Sequence, residues 1–484
     1  MMTIKHQLHS RRLSSVALGS AALLSLCVVS SAATAQTTPD QPVPAPAPLP
    51  VNTRDTPLPP AITIPPPPSA APADVPATPI TADQAAYIAL HYQPSIASAQ
   101  GALTAAAGRT KQARSQLLPG VTVTGGYAES KIVEKAGASS SVIAANAVGP
   151  EGTDAIALQQ LLFDFGHRSR LASQASALEA VGAYTLTKTQ ADTVLLVKQN
   201  FYNLAQDLRL VTVNADNYRA QYQHLEEARA RQVAGIGLVS DVVTAQTAVS
   251  NAALQLNIAR NTAQIAQVTL AVSMGLDPRT PVKPADSDEP APPATDLNSL
   301  IATALRARPD VLAAEANERA SEDALSAART ANAPVVVGTA GYTGKDTVFP
   351  PNSGSVSAGV SLSFDPFDSG LTSGRIKEAQ GNLATAKANL TSVQQSIASD
   401  VAQAYLNTLL ADQRVTTAQD GVTNAQVAVQ LADGRFRAGI AIFLEVTDAQ
   451  AALLSAQTDL VNARSALDQS RAALAHAIGD GVGR

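Results

Sequence analysis

The chain of 484 residues is 45% hydrophobic but only 4% aromatic, without Trp, and 15% of it is charged, against roughly 25% in an ordinary soluble protein. That excludes a charge-driven disordered chain, and a single Cys excludes a disulfide framework or a Cys-rich metal site. Net charge is −5, and residues 36–484 carry 31 Lys and Arg against 39 Asp and Glu, the opposite of a nucleic-acid binder's balance.

Residues 1–35 read as a signal peptide. Lys5, Arg11 and Arg12 form a basic region, Val16–Val29 is apolar, and Ala33-Thr34-Ala35 is an A-x-A site, predicting cleavage before Gln36. These fourteen residues rise only about 21 Å as a helix, short of a bilayer core of about 30 Å. Cys27 follows Leu26, whereas a lipid-anchor site calls for a small residue there, so cleavage near Ala35 is the expectation. No later stretch reaches 18 consecutive apolar residues. Residues 36–80 then read as a Pro-rich disordered extension, with sixteen of the 30 prolines between Pro39 and Pro79.

Beyond the extension, proline is absent from Glu151 to Asp277 and from Phe367 to the C-terminus. Runs of that length, rich in Ala, Leu, Gln and Arg, predict very long helices. One helix over His167–Ala234 would span about 100 Å at 1.5 Å per residue.

The chain also matches itself. Residues 82–127 align with 297–342 at an offset of 215, pairing Pro94 with Pro309, Pro119 with Pro334, and Tyr127 with Tyr342. Further on the offset is 204, pairing Phe163-Asp164 with Phe367-Asp368, Gly166 with Gly370, Gly235 with Gly439, and Gly275 with Gly479. A period above 200 residues is too long for a solenoid unit. The expectation is a duplicated half: repeat 1 over 81–276, a Pro-rich linker over 277–296, repeat 2 over 297–480, and a tail over 481–484. After the tips, apolar residues step alternately by 4 and 3, as in Leu238, Val242, Ala245, Val249, Ala252 and Leu256, and again from Ile442 and Val446 to Leu474. That 3.5-residue seam predicts left-handed coiling of close-packed helices.

Each repeat also carries two alternating stretches of about 9–11 residues. The clearest is Val356, Ala358, Val360, Leu362 and Phe364, interleaved with Ser355, Ser357, Gly359, Ser361 and Ser363; Val121, Val123 and Tyr127 alternate with Thr122 and Thr124. Their partners lie around Ala155–Phe163 and Pro334–Gly344. This is the length and period of a tilted membrane strand. Phe163, Phe165, Phe349, Phe364 and Phe367 lie in or beside these hairpins, as an interfacial girdle would. Four strands cannot close a barrel, and open edges are not tolerated in hydrocarbon, so a membrane reading requires two, three or four chains. A small soluble sheet packed on helices is the alternative.

An exported, duplicated chain of this kind resembles the TolC-type outer-membrane efflux channel family, the outer membrane factors. The matching segments are Ala304–Asp310, Leu162–Gly166, and the tips Gly235–Val242 and Gly439–Val446; the resemblance covers about residues 81–480. It implies a mixed α and β fold: a homotrimer whose four strands per chain make a 12-stranded β-barrel in outer-membrane lipid, continued by a periplasmic α-barrel of coiled-coil helices. It implies an exit channel of a tripartite efflux system, passing small molecules from an inner-membrane pump and a periplasmic adaptor (membrane fusion) protein to the exterior. Adaptor contact falls on the tips Gly235, Ile236, Gly237, Leu238, Gly439, Ile440, Ala441 and Ile442, whose glycines also serve the turn itself. Glu445 and Asp448, three apart on one helix face, together with Asp241 would ring a periplasmic gate in acid and favour cations; first-turn acids are also favoured by the helix dipole alone. A Tyr and an Arg that lock the tip in some closed members are absent at the matching Phe436 and Ala441.

The alternatives are the outer-membrane channel of a type I protein secretion system and, in a different class, a periplasmic coiled-coil scaffold without a pore. No nucleotide loop, HExxH, GxSxG or CxxC occurs, and the six His are scattered. The expectation is therefore no catalysis, no cofactor and no metal.

Overall fold

The computed structural model describes residues 79–129, 150–286, 288–291, 296–348 and 350–480. The expected signal peptide, Cys27, nearly all of the Pro-rich extension, Phe349 and the tail lie outside the described residues.

The first half runs α1 (Ala82–Tyr92), α2 (Pro94–Ser115), β1 (Gly120–Glu129), β2 (Pro150–Phe163), α3 (His167–Val233) and α4 (Val239–Ser273). The second runs α5 (Leu297–Ala307), α6 (Pro309–Arg329), β3 (Val335–Asp346), β4 (Gly354–Ser363), α7 (Leu371–Arg437) and α8 (Phe443–Ala477). α3 and α7 are each 67 residues long and α4 and α8 each 35. The proline-free runs therefore do become helices about 100 Å long. Pro94 and Pro309 occupy the first helical position of α2 and α6, where a missing N–H costs nothing.

The second strand of each hairpin, β2 or β4, passes into its long helix through the same device. Asp164 accepts from Gly166 N–H at 3.0 Å and from Arg168 N–H at 2.8 Å; Asp368 accepts from Gly370 N–H at 3.1 Å and from Thr372 N–H at 2.7 Å. The carboxylate thereby satisfies a first-turn donor that no helical carbonyl can reach. Gly166 and Gly370 sit at φ 83° and 90°, a conformation glycine adopts without steric cost.

The four strands form one antiparallel sheet in the order β1-β2-β3-β4. Its register places Val123, Ile156, Tyr342 and Val356 in one cross-strand row and Thr124, Ala155, Thr343 and Ser355 in the next. Since neighbouring rows face opposite ways, the alternation seen within one strand extends across the whole sheet. β1 and β4 are the two edges, exposed along their whole length. β2 and β3 run to 14 and 12 residues, longer than expected, because pairing continues past the alternating stretch to the Lys345–Glu151 ion pair at 2.9 Å. Phe163, Phe165, Phe364 and Phe367 are all more than half exposed beside it.

α6 lies against both α3 and α7, whereas α2 lies against α3. One apolar cluster joins α1, α3 and α4 through Phe201, Leu204, Leu270 and Met274; its counterpart joins α5, α6, α7 and α8 through Leu300, Val311, Val401 and Leu474. The segment after α4 is held rather than loose: Ile80 forms a parallel bridge with Pro284, and Ile80 and Val282 are buried. There Glu289 is buried, accepts from Tyr202 Oη at 2.5 Å and pairs with Lys198 at 2.7 Å, and its own N–H donates to Asp468 at 3.1 Å. Burial raises the Asp468 carboxyl to about 6. The predicted seam of α4 is buried at Ala245, Val249, Ala252, Leu256, Ala263 and Leu270. On α8 the seam residues Ala449, Leu453, Ala456 and Leu460 are only half-buried, and a groove between α7 and α8 opens at Ala456, beside Thr417 and Gly421.

Candidate functional site at the hairpin tips

α3–α4 and α7–α8 are helical hairpins whose tips carry every site residue expected from sequence. In the first, Gly235 takes φ 76°, Ile236 N–H donates to Arg231 O at 3.0 Å and Gly235 N–H to Gln232 O at 3.0 Å. In the second, Gly439 takes φ 74°, Ile440 N–H donates to Arg435 O at 2.9 Å and Gly439 N–H to Phe436 O at 3.0 Å. This paired pattern is the Schellman ending, which requires a left-handed residue at the glycine position. Leu238 and Ile442 follow as extended caps without a side-chain cap bond.

These turns expose apolar side chains. Ile236, Leu238, Ile440 and Ile442 are all roughly two-thirds or more open to solvent, and Val233 and Leu444 beside them are also exposed. On each turn these residues sit close together in sequence, unlike apolar residues scattered singly over a surface. Gly237 and Ala441 occupy matching places and differ in fit. A Cβ on Gly237 would lie 2.8 Å from Gln232 N. At Ala441, where a Cβ exists, the N–H donates to Arg435 O at 3.3 Å, against 3.0 Å from Gly237 to Arg231 O.

The carboxylates separate into two kinds. Glu445 lies in the first turn of α8 and pairs with Arg435 across the turn at 3.2 Å. Asp241 stands at the same place in α4, half-buried, with Ser240 Oγ at 3.5 Å, and Asp448 is exposed one turn further along α8. Neither Asp241 nor Asp448 has an ion-pair partner among the described residues. Glu445 is thus already neutralised within its own hairpin.

Arg231, which matches Arg435 at the offset of 204, does something else. Its guanidinium lies 4.3 Å from the Phe436 ring centroid and donates to Phe436 O at 3.3 Å and Arg437 O at 3.5 Å. Phe436 packs on Phe443 with ring centroids 5.6 Å apart, inside a cluster with Leu225, Ala245, Leu256 and Val446. One hairpin is therefore fastened to the other by a cation over an aromatic face. Sequence reasoning noted that Phe436 lacks a tyrosine's hydroxyl and missed that the ring itself is the anchor. The repeat offset carried the missing signal, since it pairs Arg231 with Arg435.

About three turns from Gly235, His224 and Glu227 on α3 approach Asp433 on α7, with one ligand atom from each within 4.8 Å of the others. These are the residues among those described that are placed to hold a metal ion. Burial lowers the His224 pKa, against the opposing pull of Asp433 and Glu227. No helix among the described residues is long and apolar enough to cross a membrane.

The family described as outer membrane efflux protein matches residues 85–276 and 300–480. Outer membrane efflux protein BepC of Brucella suis is 26% identical over 332 residues, covering 68% of this chain and 72% of that protein. Outer membrane protein TolC of Escherichia coli is 22% identical over 376 residues, covering 74% of this chain and 73% of that protein. Among solved structures, outer membrane protein VceC of Vibrio cholerae superposes with a TM-score of 0.72 at 20% identity, over 82% of this chain and 96% of that one. The family consists of transport channels that carry out no catalysis. With a helix–strand–helix half on each side of the chain and the family match covering both, the protein belongs to the outer membrane efflux protein family.

Proposed function

We propose that this protein is the outer-membrane exit channel of a tripartite efflux system, assembled as a homotrimer and fed by an inner-membrane pump through a periplasmic adaptor protein. The observation that carries the reading is the sheet. It is open at both edges, apolar on one face and small or polar on the other, and each of its hairpins leads into a helix about 100 Å long. Two bare edges are untenable in hydrocarbon, and closure with further copies removes them. Three chains supply 12 strands, and the single chain leaves β1 and β4 ready for it. The helical layer supports the same ring: α6 fills the groove between α3 and α7, while α2 covers α3 alone and leaves its outer face bare for a neighbouring copy.

In this reading the strands lie in outer-membrane lipid and the helices extend into the periplasm. The exposed apolar turns Gly235–Leu238 and Gly439–Ile442 meet the adaptor, and Asp241, Glu445 and Asp448 line the periplasmic gate. Removal of residues 1–35 on export and duplication of one ancestral half belong to the same proposal. Energy comes from the pump; the channel contributes a continuous water-filled path.

The test is accumulation of a fluorescent cationic dye in a deletion strain beside wild type and a complemented strain. Higher dye in the deletion strain, restored by complementation, is the expected result. Unchanged dye together with loss of a secreted protein would instead assign the channel to protein export. A heat-modifiable band at three times the monomer mass from outer-membrane fractions checks the trimer, and a soluble periplasmic protein without it would exclude the pore.

A further inference from the structure

We infer that His224, Glu227 and Asp433 form a binding site for one divalent transition-metal cation, such as zinc or cobalt, that ties α3 to α7 behind the hairpin tips. His224 and Glu227 are three residues apart on α3 and so share a face. Asp433 arrives from α7, 206 residues further along the chain than Glu227. Donor atoms from all three lie within 4.8 Å of one another. Metal-bound donors at about 2.0–2.2 Å from the ion are closer together than this, a gap that rotation of the two carboxylate side chains can close. A His and a Glu at this spacing on one helix, facing a carboxylate on another, is a recurrent way of building metal sites in helical bundles.

The chemistry selects the ion. Two carboxylates and one neutral imidazole carry two negative charges, which a divalent cation balances. The imidazole nitrogen favours zinc, cobalt, nickel or copper over magnesium or calcium, which prefer all-oxygen shells. Gln450 stands beside the imidazole, its Nε2 3.3 Å from His224 Nε2, so the remaining coordination position can be filled by water or by the amide oxygen after a flip.

An independent observation points into the same site. Asp433 Oδ1 is buried and has no hydrogen-bond partner among the described residues, a state that costs free energy and that native structures rarely leave unanswered. Its other oxygen, Oδ2, is ion-paired with the Arg437 guanidinium at 3.0 Å, and Arg437 Nε lies 3.7 Å from Glu227. Arg437 is the resident counter-charge, and its side chain is mostly exposed, so it can swing away when a cation enters. The site is therefore one in which a metal and an arginine compete for two carboxylates. Occupied, it would link hairpin α3–α4 to hairpin α7–α8 and oppose their separation.

The test is equilibrium dialysis of the purified, detergent-solubilised protein against zinc and cobalt chlorides, with elemental analysis and the cobalt visible spectrum. One ion per chain with cobalt bands of imidazole-containing coordination is expected. His224→Gln and Asp433→Asn should each weaken binding at least about tenfold, while His476→Gln, whose imidazole sits on Asp192 at 2.9 Å elsewhere, should leave it unchanged. Arg437→Gln should tighten it, an effect that mere loss of packing would not produce. Substoichiometric binding by the wild type, wild-type affinity in His224→Gln, or weaker binding in Arg437→Gln would each overturn the site.

Discussion

The two hairpin tips share a backbone and differ in what their arginines do. Arg435 reaches across its own turn to Glu445, whereas Arg231, at the matching place, leaves Asp241 alone and reaches to the other hairpin, onto Phe436 and two carbonyls. Phe436 and Gln232 explain the difference. The phenyl ring at 436 is buried against Phe443 and offers a face to the cation, while the residue matching it in the first hairpin, Gln232, offers none. Two equal turns thus become one self-contained tip and one tip that grips its neighbour. The two acids at the same helix position also end in different states, one paired and one free of an ion pair among the described residues.

The comparison can be broken most severely at Phe436. Phe436→Ala removes the ring that Phe443 and Arg231 both use, and should cost about 3–5 kcal/mol in urea unfolding followed by helical circular dichroism; the same substitution on exposed Phe367 should cost far less. Next comes the fit of the turns. Gly237→Ala forces a Cβ against backbone 2.8 Å away and should destabilise by about 1–3 kcal/mol, whereas Ala441→Gly should change stability by less than about 1 kcal/mol. Loss in both or in neither would show that the turns are interchangeable.

The arginines themselves come third. Arg231→Gln should destabilise by about 1–2 kcal/mol through the lost cation–aromatic contact, and should raise single-channel conductance in planar bilayers if this grip holds the tips together. Arg435→Gln breaks a half-exposed ion pair, worth about 0–1 kcal/mol, and should alter cation selectivity more than stability by freeing Glu445. Protonation of Asp468 sharpens the comparison further. The Asp468 carboxyl, raised to about 6 from an ordinary 3.8, binds a proton more readily folded than unfolded. It therefore favours the fold most at low pH, and that contribution is lost as pH rises from about 4 through 6. Asp468→Asn keeps an acceptor for Glu289 N–H, so its melting temperature should fall less between pH 5 and 8 than the wild type's.

Much of this was legible because it is local. Proline-free, Ala-rich runs can only be long helices once Gly166 and Gly370 start them and Gly235 and Gly439 end them, and the alternation around Val356–Ser363 can only be a strand. The same holds for tip glycines at positive φ and for first-turn acids at 241 and 445. The α8 spacing predicts a close-packed stripe, and periodicity alone does not reveal that Ala456 on it faces a groove, since heptad spacing specifies a stripe but not what covers it.

What the tertiary structure alone decided are the contacts between residues far apart in sequence. It placed Arg231 on Phe436, buried Glu289 of the Pro-rich segment against Tyr202 and Asp468, and gathered His224, Glu227 and Asp433 from helices that start in different strand hairpins. Helix period, turn chemistry and strand alternation are properties of a few consecutive residues and survive in the sequence. Which side of one 100 Å helix meets which side of another depends on the packing of all the helices together, and no short stretch of residues encodes it.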